Sequence, residues 1–357
     1  MASIRQRDGR WQARITLQGF PPIAKTFSNK ADAQAWGKIT ESEMIRGIFI
    51  RRSDAERTTL YEALERYERE VTPGKRGANT ELPRIAKWKC HKLAKHSLAA
   101  LRPSDFASYR DTRINAGAAP STARLELAII SHLFNVARKE WGFEGLSNPI
   151  ESIRMPKVNN ARDRLFNHGE EQLLLAVLSP STRLANGQYP PDCRNSLLKP
   201  FVQLALETAM RRGELLSLTW ENTDLDRRVA HLPLTKNGQK RDVPLSTKAV
   251  AILNSLPAPK HGEVFKLTAN AAMLGFNRAI ERAKRKYKLE CAKTGTPIDT
   301  QVFNDLHFHD LRHIAVTRLA EKLPNIVELA AVSGHTDVRM LKRYYHPRAE
   351  DLAKKLG

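Results

Sequence analysis

Cysteine is scarce in this sequence: Cys90, Cys193 and Cys291 are the three, far apart and without paired spacing. That argues against a disulfide-stapled scaffold and a zinc ribbon, and for a reducing cytoplasm in which such thiols are inert. No apolar run approaches the roughly 18 residues needed to span a bilayer, so membrane insertion is not expected. The opening MASIRQRDGR carries charge with no apolar stretch behind it, and does not read as a secretion signal. Acidic residues are also short, with 38 Asp and Glu against 59 Lys and Arg, a net charge of +21. Such an excess repels itself unless it meets a polyanion, which points to nucleic acid or an anionic membrane surface as partner.

What is present divides the 357 residues into more than one domain. Residues 1–50 alternate apolar and polar positions in IRQRDGRWQARITL and IAKTFSN, with turn residues at Asp8-Gly9 and from Gly19 to Pro22. An amphipathic helix should follow, capped by Ser28 and running through KADAQAWGKITESEMI. The reading is a three-stranded sheet backed by one helix, its strands bearing Arg5, Arg7, Arg10, Arg14 and Lys25. A β-ribbon of this kind can enter a DNA groove, and it can equally be a solvated basic face.

From Thr58 to about Gly142 the period becomes 3.6, and four helices are expected: TTLYEALERYEREV, TELPRIAKWKCHKL, RPSDFASYRDTRINAG and PSTARLELAIISHLFNVARKEW. Lys87, Lys89, Lys92 and Lys95 crowd this block, and Gly117 is a plausible stop. SNPIESIRMPKVNNARDR reads as a linker. The expected layout is therefore 1–50, 54–150, a linker at 151–162, and 163–357, with no internal repeat.

In the last unit, FVQLALETAMRRGELLSLTW reads as one helix with Arg211, Arg212 and Glu214 in its middle, where Arg211 and Glu214 could be no more than an i,i+3 surface pair. RRVAHLPLTKNGQKRDVPL reads as two strands about a type I′ turn at Asn237-Gly238, with Lys236 at the tip. LHFHDLRHIAVTRLAEKL is a helix whose His309, Arg312 and His313 share a face. A metal on His307, His309 and His313 is weighed and set aside, because an adjacent arginine repels a cation and better suits phosphate. Ser333-Gly334 should end the helix PNIVELAAV, and Thr336 or Asp337 should cap a final helix. On that helix Tyr345 would continue the stripe of Val338 and Leu341, leaving Tyr344 to face a cleft.

Taken together, these residues resemble the tyrosine recombinases, the family of phage integrases and related site-specific recombinases. The family's set is an arginine in T-G-x-R-x-x-E-L, a lysine on a β-hairpin, H-x-x-R, G-H, and a tyrosine nine residues beyond that histidine. Here they are Arg211 with Glu214 in TAMRRGEL, Lys236 in TKNG, His309 and Arg312 in HDLR, His335 in SGH, and Tyr344. Ala209 stands where the family usually has glycine.

The resemblance implies a multidomain α+β fold: a small β-sheet-plus-helix N-terminal domain that binds arm sites, an all-helical domain that binds core sites, and a mainly α catalytic domain with a small antiparallel β-sheet. It implies that Tyr344 attacks a DNA phosphate to leave a 3′-phosphotyrosine and a free 5′-hydroxyl. Arg211 and Arg312 would neutralise the transition state, His335 and His309 would add hydrogen bonds, and His309 would assist proton removal from Tyr344. Lys236 would protonate the leaving oxygen and Glu214 would orient Arg211. No cofactor and no metal would be needed. The implied partners are double-stranded attachment-site DNA and a homotetramer on it, with a DNA-bending host factor and an excisionase beside them, in the cytoplasm at the nucleoid. The tail after Tyr344 would pack on a neighbouring subunit or fold back on its own. Three rivals stand against an integrase of a phage, prophage or genomic island: a regulator that binds DNA without reaction, a metal-dependent nuclease using His307, His309 and Asp310, and a chromosome-dimer resolvase.

Overall fold

The computed structural model describes residues 2–18, 20–46, 53–159, 162–180, 195–233 and 240–344. The chain divides into two units, Met1–Asn160 and Ala161–Gly357. The first begins with an antiparallel sheet of β1 (Ser3–Arg7), β2 (Arg10–Ile15) and β3 (Ile23–Phe27), in that order. Asp8 and Gly9 both have positive φ, 48° and 74°, so they form the two-residue turn that pairs Arg7 with Arg10. Period 2 then separates the faces. Ala13 and Ile15 are buried, while Arg5, Arg7, Arg10 and Arg14 are exposed and share the opposite face through the pairs Arg5–Gln12 and Arg7–Arg10. α1 (Lys30–Ile45) covers the apolar face through Ala33, Gly37, Thr40 and Met44. Its cap is Asn29 rather than Ser28, because the Asn29 side chain accepts from the Asp32 backbone N–H at 2.8 Å.

α2 (Ser53–Arg57) precedes the helical part of this unit, α3 (Leu60–Glu70), α4 (Ala78–Lys89), α5 (Pro103–Asn115) and α6 (Pro120–Lys139). Thr59 and Glu62 close a reciprocal capping box at the start of α3. Proline at the first position opens α5 and α6, where its missing N–H costs nothing. α4 is shorter than its periodicity suggests. It stops at Lys89, and Lys92–Lys95 forms a separate 3₁₀ turn whose Leu93 N–H is accepted by His91 Nδ1. The core is aromatic, with Trp88 stacked on Tyr109 at 4.0 Å between centroids. Glu126, on the buried face of α6, accepts from Tyr109 Oη at 2.8 Å, from Arg113 at 2.9 and 3.0 Å and from Lys87 at 3.1 Å.

The second unit is mainly helical around one small sheet. In chain order it contains α7 (Glu170–Val177), α8 (Leu198–Thr208), α9 (Arg212–Leu216), β4 (Thr223–Asp224), β5 (Val229–Leu232), β6 (Arg241–Pro244), α10 (Thr247–Asn254), α11 (Ala269–Thr294), α12 (Phe308–Lys322) and α13 (Ile326–Ser333). Phe201 of α8, Phe276 of α11 and Phe308 of α12 meet at its centre, Phe201 and Phe308 stacked at 5.2 Å. Strands β4, β5 and β6 pair antiparallel in sequence order.

Three expectations change here. Residues 201–220 are not one helix. α8 ends at Thr208, Ala209 adopts the left-handed conformation at φ 53°, and α9 starts afresh after Arg211. The hairpin pairs Leu232 with Arg241, whereas a two-residue turn at Asn237-Gly238 would align Leu232 with Val243. Lys236 and that turn lie outside the described residues. The last segment, Val338–Tyr344, is 3₁₀ rather than α. With three residues per turn, Tyr344 follows Leu341 onto the buried face, and Val338 is 40% exposed. Tyr345 and the tail lie outside the described residues. Among the described residues no helix is long and apolar enough to cross a membrane.

Candidate active site

The break between α8 and α9 builds the first part of the site. Thr208 ends α8 by turning its hydroxyl back onto the Leu204 carbonyl, and its Oγ1 accepts the Met210 N–H. Arg211 then has extended backbone and caps α9. Its N–H donates to Glu214 Oε2 at 2.9 Å, and its guanidinium donates to Glu214 Oε1 at 2.8 Å. The pair is therefore not a helix-surface ornament: Glu214 is 5% exposed and fixes both ends of Arg211.

The second part is the C-terminus of α13. Gly334 closes it in the left-handed region at φ 70°, leaving the last carbonyls without helical donors. Three arginines take them in succession. Arg241 donates to Val332 O at 2.5 Å, Arg312 to Ser333 O at 2.6 Å and Arg211 to Gly334 O at 3.2 Å. Carbonyls at a helix C-terminus carry partial negative charge, so this end both attracts and aligns the guanidinium groups. Arg312 also donates to Ala209 O at 2.5 Å, a carbonyl that the helix break leaves without an intrahelical donor. Gly334 is required at this spot twice over. Its φ disfavours a side chain, and a Cβ would lie 2.7 Å from Arg241 Nη1.

Arg241 was not singled out by the sequence. It begins β6, is largely buried, and donates to Glu214 Oε2 at 2.7 Å. Nothing in its spacing separates it from the other basic residues of RRVAHLPLTKNGQKRDVPL; only the fold brings it to Glu214. Its Nε is buried with no hydrogen-bond partner among the described residues.

These cations outnumber the carboxylate beside them. Burial would push the Glu214 carboxyl up, but Arg241 and Arg211 outweigh it and hold it below the usual range. Burial, then repulsion from Arg211, brings Arg312 down to about 10. His335, whose Nδ1 lies 2.8 Å from Ser333 Oγ, is pushed down to about 4 by burial and by Arg312 and Arg211. A cleft of about 600 Å³ opens against Arg211, Arg241, Lys240, Gly334 and His335. Fixed donors of this kind, held in place before any ligand arrives, are the arrangement that suits an anion.

Tyr344 reaches this site from the 3₁₀ segment. Its ring lies 6.5 Å from that of His335 and is stacked on His313 at 6.0 Å, with its hydroxyl hydrogen-bonded to His313 Nδ1. Burial raises the phenol's pKa, opposed by Arg343 and Arg312. Arg343 is itself anchored to Arg162 O at 2.6 Å and to the Asp163 carboxylate. His309 is exposed on α12, its ring edge-on to His313 at 5.2 Å. His313 shares the face that helical spacing assigns to His309 and Arg312, so its presence was legible, though not its contact with Tyr344.

The residues weighed as a metal set are otherwise engaged. Arg162 donates to Asp310 at 2.9 and 2.8 Å and lies 2.7 Å from His307 Nδ1. Among the described residues no group of three or more His, Cys, Asp or Glu is placed to hold a metal ion. Of the expected residues, the fold brings together Arg211, Glu214, Arg312, His335 and Tyr344, with His309 at the margin.

Comparisons with known proteins bear on the same stretch of chain. The model of the phage integrase family matches residues 184–351. The shufflon-specific DNA recombinase of Escherichia coli is 40% identical over 306 residues, covering 84% of this chain and 71% of that protein. The integrase of Escherichia phage 186 is 26% identical over 338 residues, covering 91% of this chain and 86% of that protein. Among solved structures, a lambda integrase dimer bound to a COC′ core site covers 97% of this chain and 95% of its own at a TM-score of 0.59 and 19% identity, a likeness of fold. On the identity and coverage of these relatives, the chain belongs to the phage integrase family of tyrosine recombinases.

Proposed function

We propose that this chain is a site-specific DNA recombinase that cleaves and rejoins DNA through a covalent 3′-phosphotyrosine at Tyr344. The observation that carries the reading is one juxtaposition: the phenol selected by the nine-residue spacing lies beside Arg312 and His335, over an anion site with more fixed cations than carboxylates. Arg211 and Arg312 stabilise the charge that gathers on the nonbridging phosphate oxygens, and Arg241 and Glu214 hold Arg211 in place. Guanidinium groups already pinned to carbonyls need no reorganisation as the reaction proceeds. His335 and His309 contribute hydrogen bonds to the phosphate, and Lys236 protonates the leaving 5′-oxygen. The phosphotyrosine conserves the bond energy, so rejoining requires no nucleotide.

The basic sheet face of residues 1–50 is read as an arm-site binding surface, residues 54–150 as the core-site domain, and residues 163–357 as the catalytic domain, joined by the linker at 151–162. The partners are attachment-site duplexes and three further copies of the chain, with a DNA-bending host factor and an excisionase, in the cytoplasm at the nucleoid. Integration or excision of a phage, prophage or genomic island is the outcome. A second reading, action at a shufflon, is favoured by the identity to the Escherichia coli shufflon-specific recombinase.

The test is adduct formation on a nicked suicide duplex taken from DNA flanking the gene. Tyr344→Phe should abolish the covalent protein–DNA species while binding to the same duplex is unchanged. An adduct that persists in that variant would overturn the assignment.

A further inference from the structure

Resting on that reading, we propose that His313 is a catalytic residue, the group that receives the phenolic proton of Tyr344 through Nδ1. Three observations carry it. His313 Nδ1 is hydrogen-bonded to Tyr344 Oη, the atom that must lose a proton to attack phosphorus. His309, assigned the proton by resemblance, is exposed, and its ring meets the edge of His313. Finally, α12 carries both Arg312 and His313, so one rigid helix places a phosphate-facing cation and a proton acceptor side by side.

The surroundings set its protonation. His309, Asp310 and Arg312 face it from its own helix, Arg343 and Tyr344 from the 3₁₀ segment, and His335 from the loop after α13. Burial, then His309 and Arg343, push the imidazole down to about 4, so at neutral pH it is uncharged and can accept. An arriving phosphodiester adds negative charge among the same cations, which favours the imidazolium as it forms.

The step balances. The Tyr344 O–H bond breaks and N–H forms at His313 Nδ1, whose Nε2 keeps its own proton. The phenolic oxygen bonds phosphorus, the P–O5′ bond breaks, and the 5′-oxygen takes a proton from Lys236. Rejoining runs both transfers backwards.

The experiment is single-turnover adduct formation by the full chain on the nicked suicide duplex, followed against pH. His313→Ala should slow it by about 10²-fold near neutrality, the magnitude of a lost proton acceptor. The rate of that variant should climb with pH and recover with added imidazole, which a merely structural role would not produce. His309→Ala should lose less and gain nothing from imidazole. A His313→Ala rate within about threefold of wild type, or a loss that neither pH nor imidazole moves, overturns the proposal. Should duplex binding show that His313→Ala does not fold, His313→Gln is read by its fold-change and by the climb of its rate with pH, a loss within about threefold or one that pH does not move overturning the proposal. Tyr344→Phe in the same assay separates this outcome from failure of the recombinase reading, since only the latter leaves an adduct there.

Discussion

Two buried carboxylates set among cations, one from each unit, are built to opposite ends. Glu126 in the helical unit is 2% exposed and accepts from Tyr109, Arg113 and Lys87, so one anion satisfies several donors. Glu214 is 5% exposed and is shared by Arg211 and Arg241, with Arg312 held close by on carbonyls alone. In the first cluster the carboxylate is the hub and the cations serve it. In the second the carboxylate is a strut and the cations are the product. A buried ion pair is weak evidence for stability by itself. What distinguishes these two is where the cations bond: Arg113 and Lys87 both donate to Glu126, whereas Arg312 beside Glu214 donates to carbonyls alone.

Gly334→Ala should disturb the comparison most. The new Cβ would press on the Arg241 guanidinium in a backbone region that alanine resists. We expect a stability loss of about 1–3 kcal/mol by thermal melting. Adduct formation should fall by about 10²-fold, because Arg241 and Arg211 lose their common anchor. Unchanged cleavage would mean that the α13 C-terminus does not align these guanidinium groups.

Glu126→Gln should act on stability and leave cleavage chemistry alone. Although burial pushes the Glu126 carboxyl up, Arg113, Tyr109 and Lys87 together hold it at about 2, below its ordinary 4.5. A depressed carboxylate stabilises the fold above the ordinary value, and that stability is lost as pH falls from about 4.5 towards about 2. The variant should be less stable at neutral pH by up to about 3 kcal/mol and should lose that part of the acid dependence, read from urea melts at several pH values. An acid profile identical to wild type would contradict the hub role.

Ala209→Gly should change least. Glycine relieves the left-handed strain at φ 53° but adds freedom to the unfolded chain, so the net change should stay within about 0.5 kcal/mol. Its carbonyl remains to accept from Arg312, and cleavage should vary by no more than about twofold. A larger loss would show that the Ala209 methyl, buried beside Ala315 and Leu329, supports the site.

Much of this was readable in the chain. The Asp8-Gly9 turn, the alternation of β2, the 3.6 period of α5 and α6 and the glycine stop of α13 are local signals, each carried by nearby residues. The nine-residue spacing of the family that the chain resembles selects Tyr344, and the fold sets that residue against His313 and His335. The helix break at Ala209 was not readable, because alanine is the best helix former and its neighbours keep the 3.6 period. What ends the helix is the Arg211–Glu214 capping box, backed by an Arg312 that lies 103 residues beyond Ala209. The 3₁₀ form of Val338–Tyr344 has no local signal either: Leu341 and Tyr344 pack there against Ala315, Val316 and Leu329 from elsewhere in the chain.

The sequence alone determined the residue types, their order and their periodicity, since secondary structure and motif spacing depend on interactions a few positions apart. Which arginines act together, which histidine touches the phenol, and that Val332, Ser333 and Gly334 each receive one guanidinium were decided only by tertiary structure. Those contacts join residues far apart in the chain, and an unpaired carbonyl at a helix end has no signature until the fold shows what fills it.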